Sequence, residues 1–217
     1  HYKRGPVFSA GPFSFKAIYM SSFKTRFAPS PTGRLHIGHA YSALFASEKA
    51  QEQGGEFLLR IEDIDIGRCR DEFIDGFYED LSWLGLKWET PVRKQSDHFA
   101  EYKTYLDQLH EMGVLYPCFC TRKDIQAEIN SAGSAPHNLA SGPEGTHYPG
   151  ICRDLTEEER AQKIAEGKPY ALRLNMQRAL DLISKPLTWH EHGKGVQTAT
   201  PEILGDVVLA RKDVKAS

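Results

Sequence analysis

No apolar run in this 217-residue chain approaches the ~18 residues a membrane-spanning helix requires, so a membrane protein is not expected. Net charge is also small, with 27 Lys and Arg against 29 Asp and Glu and a formal balance of -2. Near-neutrality gives no global attraction to a polyanion, so any nucleic-acid contact must use a local patch. Short basic pairs such as Arg122 with Lys123 and Arg211 with Lys212 read as ordinary solvated surface. Four cysteines are too few for a disulfide framework at this length, and Cys118 and Cys120 sit too close together to bridge comfortably. A reducing, cytoplasmic setting is the simpler expectation. Acidic residues are missing altogether from His1 to Ser22, where Gly5, Pro6, Gly11 and Pro12 interrupt any periodicity. That segment reads as disordered or as a non-native extension, with Met20 a candidate start.

What is present suffices for one good-sized core, or one core with a small insert, at 40% apolar and 11% aromatic content. Phe23 to Ala28 reads as a short buried strand, followed by a turn of Ser30, Pro31, Thr32 and Gly33. A helix then starts near His36, with an apolar stripe of Ile37, Tyr41, Leu44 and Phe45 ending at Glu48, and closes at Gly54 and Gly55. Glu56 to Ile64 alternates, placing Phe57, Leu59 and Ile61 on one face of a strand. Strand, turn, helix and strand make a βαβ unit, in which ligands collect at the C-terminal ends of parallel strands. Arg26 and Glu62 both fall near such ends.

Two further helices are expected, one over Asp71 to Leu84 on Phe73, Phe77, Leu81 and Leu84, the other from a Ser96 and Asp97 cap to Gly113. Tyr116 to Cys152 then departs from the α/β alternation and reads as an insert. Ser131 to Thr146 within it is rich enough in Gly, Pro and Ser to be a mobile loop. Thr156 and Glu159 form a capping box for a helix ending at Gly167, Tyr170 to Leu174 returns as a strand, and Val207 to Ala210 is a last apolar run.

The stretch RFAPSPTGRLHIGHAY, Arg26 to Tyr41, carries the most chemistry. A helix amino terminus offers unpaired N–H groups and a partial positive charge to an anion. His36 and His39, three residues apart, lie on one face there and can donate to phosphate oxygens that gain charge during attack at phosphorus. Gly38 between them lets a flat ring approach the backbone. By spacing alone the same pair can bind a metal or pack in a core. A second cluster follows the order Cys118, Cys120, Tyr148, Cys152, which suits a closed tetrahedral zinc site holding together a segment with little core of its own. Buried free thiols are the bland alternative, and His147 can replace Tyr148 as fourth donor. Cys69 reads as an ordinary thiol.

His36, Ile37, Gly38 and His39 spell the HIGH signature, and the chain resembles the class I aminoacyl-tRNA synthetases. With RFAPSPTGRLHIGH followed by LLRIEDID it is similar to the glutamate-specific branch over about Thr25 to Asp213. The resemblance implies an α/β fold, a Rossmann-like parallel sheet bearing the HIGH motif with an inserted zinc-binding subdomain. It implies ATP, accompanied by Mg2+, on His36, Gly38 and His39, with His36 and His39 catalytic, and glutamate on Arg26, Ala28, Ser30 and Glu62. A guanidinium clamps a carboxylate in bidentate fashion, and a Glu62 carboxylate can pair the substrate ammonium. Solvated surface is the bland reading of Glu62.

A Zn2+ site on Cys118, Cys120, Tyr148 and Cys152 after YPCFCTR resembles the short paralogues of glutamyl-tRNA synthetase that attach glutamate to the queuosine base of tRNA(Asp). The separation of Cys120 from Tyr148 is longer than expected for them. The chain also stops just after GDVVLARKD, where the family continues into a lysine-rich KMSKS-type loop, so a truncated, impaired and monomeric product is expected. The organisation expected is residues 1–22 as a disordered or non-native extension, 23–115 as the first half of the catalytic domain, 116–155 as zinc insert and 156–217 as the remainder of the insert and the return to the catalytic domain. One rival is a fragment of a glutamyl-tRNA synthetase that charges the tRNA 3′ end. Another is a non-catalytic remnant that keeps zinc and an RNA contact.

Overall fold

A computed structural model describes residues 23–132, 141–143 and 145–212. The His1–Ser22 segment and most of the loop expected to be mobile lie outside the described residues. The chain divides into two compact units, one of residues 1–63 and 67–95 and the other of residues 64–66 and 96–217.

The first unit opens with β1 (Lys24–Phe27), α1 (Ile37–Glu52) and β2 (Glu56–Ile61), then α2 (Asp71–Trp83) and the two-residue β3 (Arg93–Lys94). β1 pairs with β2 and β2 with β3, both in parallel, in the order β1-β2-β3. The expected βαβ unit and its alternation are therefore present: Phe57, Leu59 and Ile61 are buried along β2. They meet Phe27 and the α2 residues Ile74, Phe77 and Leu81 in one cluster, each large side chain contributing about 1.5–3 kcal/mol on burial. β1 differs from the buried strand expected, since only Phe27 of its four residues is buried.

The face that α1 turns to the core also differs. Ile37 is 89% and Tyr41 69% exposed, and Leu44 and Phe45 are exposed too, whereas Ala43, Ser47 and Ala50 are buried. Positions 43, 47 and 50 follow the same helical period as the large apolar stripe, on a different face. Small side chains there let the helix backbone come close to the sheet, close enough for Thr25 Oγ1 to donate to the Ala46 carbonyl at 2.7 Å.

The second unit contains α3 (Phe99–Glu111), β4 (Leu115–Cys118), α4 (Arg122–Ala132), β5 (Ser141–Gly142), β6 (Gly145–Thr146), α5 (Glu157–Ala165), β7 (Ala171–Leu174), α6 (Met176–Asp181), β8 (Thr188–Glu191), β9 (Gly195–Thr198) and β10 (Val208–Ala210). Ser96 and Asp97 lie in a short 3-10 turn, Gln95–His98, instead of capping α3 directly. No residue of α3 is fully buried: Tyr102, Leu106 and Leu109 of its apolar stripe are partly covered, whereas Tyr105 is exposed. The β5 and β6 residues pair within the stretch read as too turn-rich for regular structure. β7 is the central strand of an antiparallel sheet ordered β10-β7-β4. The Thr156 and Glu159 capping box forms as expected: Thr156 N–H donates to Glu159 Oε2 at 2.8 Å and Glu159 N–H donates to Thr156 Oγ1 at 3.2 Å. Among the described residues, no helix is long and apolar enough to cross a membrane.

Candidate functional site

The loop between β1 and α1 has no regular structure and is fixed by its own main chain. Pro29 and Pro31 are buried. The Pro29 carbonyl accepts the Glu62 N–H and the Pro31 carbonyl accepts the Arg70 N–H, each at 3.0 Å. Thr32 N–H closes a tight turn on the Ser30 carbonyl at 2.8 Å. Prolines suit these positions because their own missing N–H leaves nothing unpaired while their carbonyls remain available.

The loop ends at His36, the residue that caps α1. Its Nδ1 accepts the Gly38 N–H at 3.1 Å, and His39 Nδ1 accepts the His36 N–H at 3.3 Å. This is a reciprocal capping arrangement made from two imidazoles. The rings stack with centroids 3.9 Å apart and 29° between planes. Because both Nδ1 atoms accept, these hydrogen bonds assign the neutral tautomer with the proton on Nε2, leaving two Nε2–H donors. Burial, and then the neighbouring His36, hold the His39 pKa below its ordinary value. Gly38 has a local role in this cap, since a Cβ there would lie 3.0 Å from His36 Cε1.

A cleft of about 420 Å³ lies beside this cap, and Arg26, Ala28, Ser30 and His39 all line it. His36 joins the group through its stack on His39. Glu62 does not line the cleft: its carboxylate is paired with Arg60 of β2, and only its N–H reaches the loop. Arg34, which was not among the residues expected there, also lines the cleft. It lies over Gly76 of α2, where a Cβ would come within 3.1 Å of its Nη1. Its one signal in the sequence is a cation two positions before the first histidine.

In the second unit, Cys118, Cys120 and Cys152 bring their sulfurs within 4.8 Å of one another, and none of the four cysteines is in a disulfide. Cys120 and Cys152 sulfurs are 3.4 Å apart, and Tyr148 Oη lies 3.4 Å from both Cys118 and Cys120 while accepting the Cys152 N–H at 2.9 Å. The edges of a tetrahedron around a zinc ion with ordinary Zn–S bonds are about 3.8 Å, close to the separations of these donors, so the set suits such an ion. His147, the alternative fourth donor, instead places Nε2 2.7 Å from the Ile203 carbonyl.

Burial pushes the Cys120 thiol up to about 12. It also raises Tyr148, as do the thiols hydrogen-bonded to its oxygen. Cys152 is lowered: burial opposes ionisation there, but hydrogen bonds from Tyr148 and the Phe119 N–H outweigh it. Lys212 caps the segment, with Nζ donating to the Phe119 and Cys120 carbonyls at 2.7 and 2.9 Å.

Comparison with known proteins gives a consistent result. Residues 22–215 match the family of tRNA synthetases class I (E and Q), catalytic domain. A glutamyl-Q tRNA(Asp) synthetase of Rhodobacter capsulatus is 43% identical over 201 residues, covering 89% of this chain and 68% of the relative. A glutamate–tRNA ligase of Aquifex aeolicus is 39% identical over 196 residues, covering 89% of this chain and 38% of the ligase. Among solved structures, a glutamate tRNA ligase from Elizabethkingia meningosepticum in complex with its amino acid superposes with a TM-score of 0.66 at 26% identity, covering 88% of this chain and 38% of that one. The chain thus spans between about two fifths and two thirds of the length of these relatives.

Proposed function

The chain belongs to the class I (E and Q) tRNA synthetase catalytic-domain family, and on that premise we propose that it activates glutamate with ATP and passes the glutamyl group to the queuosine base of tRNA(Asp). The observation that carries the reading is the cap of α1, where two Nε2–H donors stand at a helix amino terminus beside a cleft lined by Arg26, Ala28 and Ser30. In this reading a glutamate carboxylate oxygen attacks the α-phosphorus of ATP and pyrophosphate leaves. A hydroxyl oxygen of the tRNA then attacks the acyl carbon of the resulting mixed anhydride, the bond from that carbon to the AMP phosphate oxygen breaks, and a glutamyl ester, AMP and the hydroxyl proton are the products.

His36 and His39 donate to the phosphate oxygens as negative charge accumulates on them. That is electrostatic stabilisation by groups already fixed in place. Arg26 binds a carboxylate of glutamate, Ala28 and Ser30 shape the wall against it, and Gly38 keeps the His36 ring seated. Glu62 takes the ammonium after exchanging Arg60 for it. Mg2+, when bound with ATP, supplies further neutralisation of phosphate charge.

Cys118, Cys120, Tyr148 and Cys152 would hold a structural zinc ion within an insert of residues 116–155. Its contribution is to fold that segment, not to take part in acyl transfer.

A second reading, charging of the tRNA 3′ end, is favoured by the 39% identity to a glutamate–tRNA ligase. One labelling experiment separates the two. With ATP and radiolabelled glutamate, label on queuosine-bearing tRNA(Asp) and none on tRNA(Glu) or unmodified tRNA(Asp) supports the first. Label on tRNA(Glu) alone moves the assignment to the second, and ATP binding unaltered by His36→Ala and His39→Ala rejects both.

A further inference from the structure

We propose that Arg173 is a positioning residue that clamps the Tyr148 ring so that its oxygen stays among the three sulfurs, with Asp206 anchoring the clamp. This rests on reading the cluster as a zinc site.

Arg173 lies on β7, the central strand, opposite Tyr116 of β4. Its guanidinium carbon sits over the Tyr148 ring, 3.9 Å from the centroid. On its other side Nη1 donates to the Asp206 main-chain carbonyl at 2.7 Å. The Asp206 side chain is itself buried and fixed by three donors: Tyr116 Oη at 2.6 Å and Arg153 Nη1 at 3.2 Å to Oδ2, and the Met176 N–H at 2.9 Å to Oδ1. Asp206 thus spends its carboxylate elsewhere and offers Arg173 only a carbonyl. Arg173 Nε is buried with no hydrogen-bond partner among the described residues.

An arginine placed only for charge pairing would not be left in this state. The guanidinium is placed instead over the face of an aromatic ring, a contact that Arg makes better than Lys. Tyrosine gains from such a contact because its oxygen stands at the end of a long lever. A small swing of the ring carries the oxygen away from the three sulfurs, opposed by the Cys152 N–H at 2.9 Å and by contacts of 3.4 Å to the Cys118 and Cys120 sulfurs. Groups that orient a metal's ligands without touching the metal commonly change its affinity by about 10–100-fold.

The test is a zinc competition titration against a chromophoric chelator, run on the full chain with wild type, Arg173→Met, Tyr148→Phe and the double variant. Expected is a loss of about 10–100-fold in zinc affinity for Arg173→Met, with a smaller loss for Arg173→Lys. In the Tyr148→Phe background Arg173→Met should cause no further loss, because the clamp then has no oxygen to position. The d–d bands of the Co2+-substituted protein should shift in Arg173→Met. Equal affinity of Arg173→Met and wild type overturns the clamp alone, as does an undiminished effect of Arg173→Met in the Tyr148→Phe background. If Arg173→Met does not fold, Arg173→Lys carries the same cycle. Wild-type protein that takes up no zinc overturns the metal reading itself, and the clamp with it.

Discussion

His36 and His39 each hold the backbone of the other's turn: the His36 ring accepts the Gly38 N–H, and the His39 ring accepts the His36 N–H at 3.3 Å. One pair of rings therefore caps a helix and presents its remaining N–H groups outward. The two jobs can be separated by substitution. His36→Ala removes cap and donor together and should cost about 1 kcal/mol of stability along with ATP binding. His36→Ser restores a capping oxygen, so urea denaturation should return to near wild type while calorimetric titration with ATP stays weak. Recovery of ATP affinity in His36→Ser would place the nucleotide elsewhere.

The thiol cluster sets an alkaline limit on the metal-free protein. Cys120 is raised by burial from its ordinary value of 9.0 to about 12. Between those values the unfolded chain has released the proton and the folded chain has not, so stability falls as pH rises through the window. Tyr116 and Tyr148, both raised chiefly by burial, add to the fall once pH passes 10. Cys152 is lowered and acts in the opposite sense, adding stability as pH approaches 9 from below. In the presence of a chelator, thermal unfolding midpoints should therefore decline from about pH 9 to about pH 10.5, and one equivalent of zinc should abolish most of the decline. A flat profile with chelator would contradict the assignment of Cys120 as a protonated, partly buried thiol.

Packing of α1 makes a third prediction. Ala43 is fully buried while Ile37 is 89% exposed. Ala43→Leu forces extra volume between helix and sheet and should destabilise by about 1–3 kcal/mol. Ile37→Ser on the opposite face should change stability by no more than about 0.5 kcal/mol. Urea midpoints of the two variants check this, and a larger loss for Ile37→Ser would mean that the exposed stripe supports the fold after all.

The anchor formed by Asp206 is open to a direct measurement by urea denaturation. Tyr116→Phe removes one donor to a buried carboxylate and should cost about 1.5–3 kcal/mol, the range for a hydrogen bond to a charged group. Asp206→Asn leaves an acceptor for the Met176 N–H but weakens the contacts of Tyr116 and Arg153 together. Their combined effect in the double variant should be less than additive, because both act on the same bond.

Strong local patterns are legible in the amino-acid order itself. Phe57, Leu59 and Ile61 alternate on β2, Phe77 and Leu81 repeat on α2, and Thr156 and Glu159 frame α5, since each is specified within a few residues. The buried face of α1 is not legible in this way, because helical period alone does not say whether Ile37 and Phe45 or Ala43 and Ala50 meet the sheet. That choice depends on how closely the helix approaches. Convergence of Tyr148 with three cysteines follows from residue chemistry, but the Arg173 contact joins β7 to a loop 25 residues earlier, and nothing local to either marks it. Arg60 stands two positions from Glu62, yet its ion pair with that carboxylate depends on a side chain of β2 and one just past its end choosing each other over solvent.

The sheet ordered β10-β7-β4 joins segments that are distant along the chain. During synthesis Cys118, Cys120, Tyr148 and Cys152 emerge before β7, and β10 emerges last. The thiols are thus complete as a set while β7 and β10, two of the three strands of the sheet that carries Cys118, have yet to be made. At ribosomal rates of about 5–20 residues per second, the interval from Cys152 to Ala210 lasts several seconds. Over that interval, on the zinc reading proposed above, capture of a metal ion competes with oxidation of the free thiols.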